Sequence, residues 1–370
     1  MLLSSTIALV MCITFLMLSA VLAAPALSAP SSRIPIALDT DIGTDFDDSM
    51  ALHYLLSASK PDDPGAIFDF RLVQVSTFNT TKRAQIVAHI LETLGRLDVR
   101  IAVGEYGGEQ DMPEYPIAAA TDLTSFVAKG GRVSWGVGAL LAEVQAASPQ
   151  APLFVIEIAP ATSLAAVLAS NPRLAANVVV SAMSGSVIAG YKNGTVSKEY
   201  NVAIDIPASQ IMYQAAYAAP LFMHPLDTTV FDQFVGDAYG LLLKANGTSA
   251  CASSLLRHFE CWYRNGGHSY YALLPFSPYA GPNQGTSTMY DVQACWAVPY
   301  YEAALSQGAA AALPRSDVRA MNIAVNSSGF TVHDPSGRSV YVALRWLPVN
   351  ETRADVRFFG LQIIESIVAA

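Results

Sequence analysis

Five aspartates stand within ten residues near the start of the chain. They are Asp39, Asp41, Asp45, Asp47 and Asp48. Carboxylates this close together repel one another, and a folded chain seldom tolerates such crowding without a cation. Carboxylate oxygens are the ligands that a hard divalent cation such as Ca²⁺ prefers. The spacing therefore predicts a metal site, while two weaker interpretations stay open: a helix cap at Asp47 or Asp48, or a solvated surface cluster.

The aspartates lie between two apolar runs. The first run, Ile34–Leu38, has the length and composition of a buried strand, and the second, Ser49–Leu56, suits a helix. Gly43 marks a tight turn between them. Open α/β sheets bind their ligands at the carboxyl ends of the strands. We therefore expect the first strand to carry Asp39 and Asp41 into a ligand-binding crevice.

Apolar runs and helical patterns alternate along the rest of the chain. Strands are predicted at Ile34–Leu38, Phe70–Ser76, Arg100–Val103, Leu153–Ile158, Asn177–Met183 and Ala219–Met223. Helices are predicted at Asp48–Ser57, Thr81–Leu94, Val137–Ala146, Ser163–Ala169 and Ala208–Ala216. This alternation predicts an α/β fold with a mainly parallel, open central sheet flanked by helices. The run Phe358–Ile367 is compatible with either a closing helix or a strand.

One domain is expected over residues 30–370. Residues 246–285, which are rich in aromatic residues, Gly and Ser, interrupt the alternation and suggest an inserted segment or lid. Cys251 and Cys261 bracket a short stretch and could form a disulfide if their Cα atoms approach each other. Cys295 lies in an apolar run and is expected to be a buried free thiol.

The N-terminal segment, residues 1–29, has the pattern of a secretory signal peptide. Residues Ile7–Leu22 are almost wholly apolar, and small residues follow, with cleavage expected near Ala23, Ala24 or Ala29. An uncleaved anchor stays open as the alternative. Asn-x-Ser/Thr sequons occur at Asn79, Asn193, Asn246, Asn326 and Asn350. Together these features predict a secreted, endomembrane or vacuolar glycoprotein.

Charge and hydropathy exclude two classes of partner. The formal net charge is −9, and no long run of Lys or Arg is present, which argues against a nucleic-acid partner. No segment after the signal peptide is long and apolar enough to span a bilayer, so no membrane association is expected after cleavage.

The aspartate run resembles a signature of the inosine–uridine preferring nucleoside hydrolase family. That signature reads Asp-x-Asp-x-Gly-x-Asp-Asp-Ala, and here two residues are added before the Asp47-Asp48 pair. Further segments resemble the family in the same order along the chain. They are Val75–Asn79, Leu91–Gly104, Ala159–Ala165, Met183–Gly185, Asn193, Glu199–Asn201 with Asp205, Pro225–Thr229 and Tyr290-Asp291. The resemblance covers nearly all of the mature chain and implies the family's Rossmann-like core.

The resemblance implies a reaction and a set of residues. The reaction is hydrolysis of the N-glycosidic bond of ribonucleosides to free base and ribose, as in nucleoside catabolism and purine salvage. The implied Ca²⁺ ligands are Asp41, Asp48, Asp291 and a main-chain carbonyl near Ile158. Asp41 would also activate the Ca²⁺-bound water, while Asp39 would orient the loop. Family members are commonly dimers or tetramers, which implies a homo-oligomer.

Side chains around the sugar and the base follow from the same resemblance. The implied sugar contacts are Asp47, Asn79, Met183, Asn193, Glu199 and Asn201. Tyr290 stands where the family has a histidine credited with helping the base to leave, and a tyrosine is a weaker acid than imidazolium. Glycans on Asn79 or Asn193 would block such a pocket, so both sequons are predicted to be unmodified. His268 is a further candidate for contact with the base.

Three other functions stay open at this point. The Asp-x-Asp pair after a strand also suits an aspartyl-nucleophile phosphatase, although Ile42 interrupts that family's pattern. Tyr290 is compatible with a catalytically weak relative that binds nucleoside or ribose. The aspartates alone are also compatible with a secreted Ca²⁺-binding protein. The sequence does not distinguish purine from pyrimidine preference, because variable loops contact the base.

Overall fold

A ten-stranded sheet forms the centre of the structure, a computed structural model that describes residues 33–191, 194–271, 285–347 and 357–370. Its strands are β1 (Ile34–Thr40), β2 (Phe68–Val75), β3 (Arg100–Val103), β4 (Arg132–Trp135), β5 (Leu153–Glu157), β6 (Val178–Met183), β7 (Leu221–His224), β10 (Ser316–Val325), β11 (Thr331–His333) and β12 (Arg338–Trp346). The strand order is β11-β10-β12-β7-β6-β5-β1-β2-β3-β4. Strands β8 (Gln233–Val235) and β9 (Gly285–Thr288) form a separate antiparallel pair.

Helices cover both faces of the large sheet. They are α1 (Asp47–Ser57), α2 (Thr80–Thr93), α3 (Leu123–Ala128), α4 (Gly138–Ala146), α5 (Thr162–Ser170), α6 (Tyr200–Ile204), α7 (Ile206–Gln214), α8 (Leu226–Thr229), α9 (Asp237–Lys244), α10 (Ala250–Arg264), α11 (Val292–Trp296), α12 (Val298–Ser306) and α13 (Arg357–Ala369). One face packs against α1, α2, α10 and α13, and the other against α4, α5 and α7. The central strands are apolar on both sides because both faces are covered.

The predicted mainly parallel α/β sheet is confirmed. The strands from β12 to β4 run parallel to their neighbours, whereas β10 runs antiparallel to both β11 and β12. The predicted strands and helices are all present, with ends that differ by about two residues at most. The C-terminal run forms helix α13. The sequence patterns missed β4, the β8–β9 pair and the strands β10, β11 and β12. The residues of β4 and β10 are largely half-exposed or exposed and form no continuous apolar run.

The segment predicted as an insert contains helix α10, which packs into the core. Its buried residues include Cys251, Leu255, Phe259 and Trp262. Residues 272–284 of that segment and the predicted signal peptide lie outside the described residues. Within the described ranges, no helix has both the length and the hydropathy needed to cross a bilayer.

The conditional disulfide between Cys251 and Cys261 is excluded by helix geometry. Both residues lie on α10, ten positions apart. At a rise of about 1.5 Å per residue, their Cα atoms are separated by about 15 Å, whereas a disulfide requires less than about 7 Å. Both thiols are free, and Cys295 is a buried free thiol as predicted.

We therefore expect Cys251, Cys261 and Cys295 each to react with iodoacetamide when the protein is unfolded without a reductant. Peptide mass spectrometry should find all of them alkylated, and prior reduction should not increase their labelling. A Cys251–Cys261 crosslinked peptide would contradict the helical placement of these residues.

Candidate functional site

The strand order reverses beside β1, and this reversal positions the site. The chain continues from β1 to β2 and β3 on one side, whereas β5 and β6 lie on the other side. Helices that follow β1 and β5 therefore diverge and leave a crevice at the carboxyl ends of these strands. Asp39 lies near the end of β1, Asp41 follows that strand directly, and Ile158 follows β5. This is the location that the sequence predicted for a ligand.

Three buried carboxylates converge at this crevice. Oxygen atoms of Asp47, Asp48 and Asp291 all lie within 4.8 Å of one another. Thr40 Oγ1 donates a hydrogen bond of 2.5 Å to Asp48 Oδ1. Phe46 is the N-cap of α1, and no side chain caps that helix. The helix-cap and surface-cluster interpretations are therefore both wrong, because Asp41, Asp47 and Asp48 are buried and neither Asp47 nor Asp48 caps the helix.

The electrostatics of this cluster fit a bound divalent cation. Burial raises the pKa of Asp47, Asp48 and Asp291 well above the ordinary value, and the neighbouring carboxylates raise it further. Asp41 contributes to all three shifts, so it lies within electrostatic reach of the cluster. A hard cation would relieve the repulsion and accept these oxygens as ligands. Asp48 and Asp291 were assigned as ligands from the sequence, whereas Asp47 was assigned to the sugar.

Arg83 is a buried cation beside Asp41 that sequence reasoning missed. Its Nη2 atom lies 3.8 Å from Asp41 Oδ2. The guanidinium also donates to the carbonyl oxygens of Ile42 (2.8 Å) and Thr77 (3.0 Å). Burial raises the pKa of Asp41, and the charge of Arg83 opposes that rise. The sequence contained an indication of this role, because Arg83 is a charged residue on the largely apolar, buried face of helix α2.

The predicted sugar-binding residues after β5 and β6 meet at the same edge. Asn201 Nδ2 donates to the carbonyl oxygens of Ile158 (3.3 Å) and Met183 (3.2 Å). Glu199 caps helix α6 and accepts hydrogen bonds from the backbone N–H groups of Gly185, Asn201 and Val202. Burial raises the pKa of Glu199 to about 7, while these donors hold it lower than burial alone would.

Asn79 lies after the carboxyl end of β2, and both its side-chain oxygen and its side-chain nitrogen form hydrogen bonds. Its Oδ1 accepts from the backbone N–H of Lys82 (3.0 Å), and its Nδ2 donates to Glu109 Oε1 (2.7 Å). The two preceding residues, Thr77 and Phe78, have φ values of 63° and 50°. This left-handed backbone turns the chain sharply into helix α2. Asn193, the other predicted amide, lies outside the described residues.

Aromatic side chains border the crevice beside Asp291. Tyr290 is partly buried, and its ring lies edge-on to Tyr191 with centroids 6.1 Å apart. The hydroxyl of Tyr191 accepts a hydrogen bond from the backbone N–H of Tyr200 (3.1 Å). Tyr191 was not predicted, although an aromatic residue in the loop after Met183 was visible in the sequence. His268 is exposed, and its Nδ1 lies 2.8 Å from the carbonyl oxygen of Tyr263.

A second pair of buried carboxylates lies on the other face of the sheet. Asp39 is in register with Glu157 on β5 and with Gln74 on β2. Ser76 donates to Asp39 Oδ1, whereas both Glu157 oxygens lack a hydrogen-bond partner of normal geometry. Burial raises the pKa of Asp39 to about 8 and that of Glu157 well above its ordinary value. The sequence analysis did not single out Glu157.

Comparison with known families agrees with this geometry. The sequence model of the family described as "Inosine-uridine preferring nucleoside hydrolase" matches residues 36–342. A pyrimidine-specific ribonucleoside hydrolase, RihA, of Shewanella woodyi is 27% identical over 242 residues, which are 62% of this chain and 72% of the relative. RihA of Citrobacter koseri is 26% identical over 250 residues, 63% of this chain and 73% of the relative.

Solved structures share the fold at lower identity. A purine-preferring ribonucleoside hydrolase from Gardnerella vaginalis superposes with a TM-score of 0.63 at 15% identity, covering 91% of this chain and 100% of its own. The type III effector protein XopQ, solved with adenosine diphosphate ribose, superposes with a TM-score of 0.57 at 16% identity, covering 92% of this chain and 95% of its own.

Substituting Glu157 by Gln should stabilise the protein increasingly as the pH rises. Because burial raises the pKa of Glu157 in the folded state, the wild type loses stability above the ordinary titration range of a glutamate. Gln does not titrate, so the variant avoids this loss. We expect its stability advantage in urea unfolding to be larger at about pH 8 than at about pH 5. The exposed Glu365→Gln serves as control, and equal advantages at both pH values would contradict the expectation.

Proposed function

The chain belongs to the inosine–uridine preferring nucleoside hydrolase family, and from this premise we propose that it hydrolyses the N-glycosidic bond of ribonucleosides to free base and ribose. The observation that carries the proposal is the buried cluster of Asp47, Asp48 and Asp291 beside Asp41 at the edge of a parallel sheet. The similar proteins include pyrimidine-specific and purine-preferring hydrolases. Both classes of nucleoside are therefore candidate substrates.

Ca²⁺ is the cation that we propose for this cluster. Asp48 and Asp291, together with Asp41 and the carbonyl of Ile158, would hold it, and the position of Asp47 makes it a further candidate ligand. When bound, such a cation lowers the pKa of water and brings it into the range where a carboxylate can deprotonate it. All these ligands are oxygen atoms, which favours Ca²⁺ over Zn²⁺.

The residues of the chain supply the remaining chemistry in this proposal. Asp41 accepts the proton of the attacking water, and Arg83 beside it favours the ionised form that a base requires. The carboxylates of Asp47 and Glu199 stabilise positive charge that develops on the ribose as the glycosidic bond breaks. Tyr290, next to Asp291 in the sequence, is the residue that we propose as the proton donor to the departing base.

The sugar hydroxyls are the proposed partners of the polar side chains at the strand ends. Hydroxyls both donate and accept hydrogen bonds, so they require carboxylates and amides together. We assign this role to Asp47, Asn79, Asn193, Glu199 and Asn201, with Met183 beneath the ring. Asn79 would exchange its contact with Glu109 for a ribose hydroxyl.

Secretion, glycosylation and homo-oligomeric assembly complete the proposal. We propose that residues 1–29 direct the chain into the secretory pathway and that Asn246, Asn326 and Asn350 are the available glycan sites. Asn79 is mostly buried and its Nδ2 is hydrogen-bonded, which supports an unmodified side chain. Peptide mapping of the secreted protein tests these assignments, and a glycan on Asn79 would count against its role at the sugar.

Two alternatives predict different outcomes. The family match reduces the support for an aspartyl-nucleophile phosphatase, which would require a phosphorylated substrate. Tyr290, standing in place of the family's histidine, is the residue that motivates the second alternative, a catalytically weak relative that binds nucleoside without turnover. Release of reducing sugar from unphosphorylated nucleosides separates the proposed hydrolase from both alternatives.

The Asp41→Asn substitution should lower kcat for nucleoside hydrolysis by about 10²-fold or more, because the base is lost while the side chain keeps its size. Ribose release from inosine, guanosine, uridine and cytidine would be measured with Ca²⁺, after chelation and after metal is restored. The exposed Asp237→Asn should retain wild-type activity. Wild-type activity in Asp41→Asn would overturn the assignment of the base, and no release from any nucleoside would favour the binding protein.

Replacement of Tyr290 by Phe should affect substrates according to their leaving groups. A purine base departs more readily when it is protonated, whereas 4-nitrophenolate departs without a proton. We expect kcat for inosine to fall by about 10²-fold in Tyr290→Phe and kcat for 4-nitrophenyl riboside to change little. Equal losses on both substrates would instead indicate that Tyr290 only packs against the ribose or its neighbours.

A further inference from the structure

The aspartate loop, residues 41–48, is longer by two residues than the family signature that it resembles, and the added length requires anchoring. We propose that Glu114 and helix α10 form a buried clamp that holds this loop and so sets the position of the cation-binding carboxylates. This inference rests on the proposed cation site. Within it, Glu114, Ser49 and Trp262 are positioning residues, because each acts through Asp47 and Asp48.

Helix α10 holds the middle of the loop through aromatic packing and one hydrogen bond. Phe46 is fully buried, and its ring centroid lies 4.6 Å from that of Phe259 and 6.2 Å from that of Trp262. The indole Nε1 of Trp262 donates to the carbonyl oxygen of Thr44 (2.9 Å). Phe46 directly precedes Asp47, so α10 fixes the point at which the loop enters helix α1.

Glu114 holds both sides of the same loop. Its backbone N–H donates to the carbonyl oxygen of Gly43 (3.3 Å). Its side-chain Oε1 accepts a hydrogen bond from Ser49 Oγ and shares a hydrogen bond of 2.5 Å with His258 Nδ1. Ser49 directly follows Asp48, and His258 lies on α10. Glu114 therefore connects the loop through its backbone N–H, and it connects the first turn of α1 with α10 through its buried carboxyl group.

The chemistry of this connection favours a rigid loop. Glu114, Ser49 and His258 are all nearly or completely buried, so water does not compete for their hydrogen bonds. Burial lowers the pKa of His258 to about 3 and raises that of Glu114 to about 8, so a neutral imidazole shares one hydrogen bond with the Glu114 carboxyl group. Gly43 has a φ of 115°, and a Cβ there would lie 2.6 Å from Ile86 Cδ1. The loop therefore has little freedom to relax.

A rigid loop matters because the carboxylates repel one another. When they are ionised, Asp47, Asp48 and Asp291 repel one another until a cation binds, and a loose loop would allow them to separate. The clamp resists this separation and keeps the site ordered before the cation binds. The free-energy cost of ordering the site on binding is therefore smaller. Residues that orient metal ligands typically change metal affinity by about 10- to 100-fold when substituted.

Calorimetric titration of Ca²⁺ into the full chain, stripped of metal with EDTA, tests the clamp. Ser49→Ala removes one hydrogen bond with little change in volume, and Trp262→Phe removes one hydrogen bond while retaining an aromatic ring beside Phe46. Both should weaken Ca²⁺ binding by about 10- to 100-fold. Glu114→Leu should weaken it at least as much, whereas Glu114→Gln keeps an acceptor oxygen and should restore near wild-type affinity. Ser254→Ala is the matched control, since Ser254 is buried on α10 and bonds to His53 rather than to the loop.

The outcomes separate the clamp from the proposed function. Wild-type affinity in Ser49→Ala and Trp262→Phe would overturn the clamp and leave the cation site intact. Equal weakening in Ser254→Ala would also overturn it, because any disturbance of α10 would then have the same effect. A wild-type protein that binds no Ca²⁺ would overturn the cation site and the clamp together. If Glu114→Leu does not fold, the two single-bond variants still decide the question.

Discussion

Repulsion among buried carboxylates is the constraint on which the rest of this site depends. Asp41, Asp47, Asp48 and Asp291 are brought together where the strand order reverses, and each raises the pKa of its neighbours or has its own raised by burial. Such an arrangement opposes folding unless other parts of the structure hold it. The buried Arg83, the hydroxyl of Thr40 and the packing of helix α10 all act on this small region.

The parallel sheet explains how a chain can sustain that arrangement. Its central strands are buried on both faces, and in β1 and β5 the polar residues lie at the carboxyl ends of the strands. Asn201, for example, donates hydrogen bonds to the carbonyl oxygens of Ile158 and Met183, which lie at the carboxyl ends of β5 and β6. The site is therefore assembled from the ends of several strands, whose spacing the backbone ladder determines.

Local sequence patterns were sufficient for the parallel strands β1 to β3 and β5 to β7 and for the aspartates that follow β1. Strands such as β1 and β5 are short apolar runs, and the aspartates after β1 stand out by their density. Contacts between distant segments were not readable in the same way. Arg83, Glu157 and Tyr191 carry no motif, because what matters is the neighbour that the fold gives them: Asp41, Asp39 and Tyr290 respectively. The antiparallel strands β10 and β11 were missed because half-exposed strands lack a continuous apolar signal.

The contact between the aspartate loop and helix α10 also has a consequence for the order of biosynthesis. Trp262 donates a hydrogen bond to the carbonyl oxygen of Thr44, and Asp291 lies beside Asp48. These partners of the loop are therefore synthesised more than about two hundred residues after it. During translation, strands β1 to β6 emerge and begin to pair while the loop still lacks these contacts. During most of its synthesis the nascent chain therefore contains the acidic loop without its contacts to Trp262 and Asp291. The carboxylate cluster is completed only after Asp291, in the last third of the polypeptide, has left the ribosome.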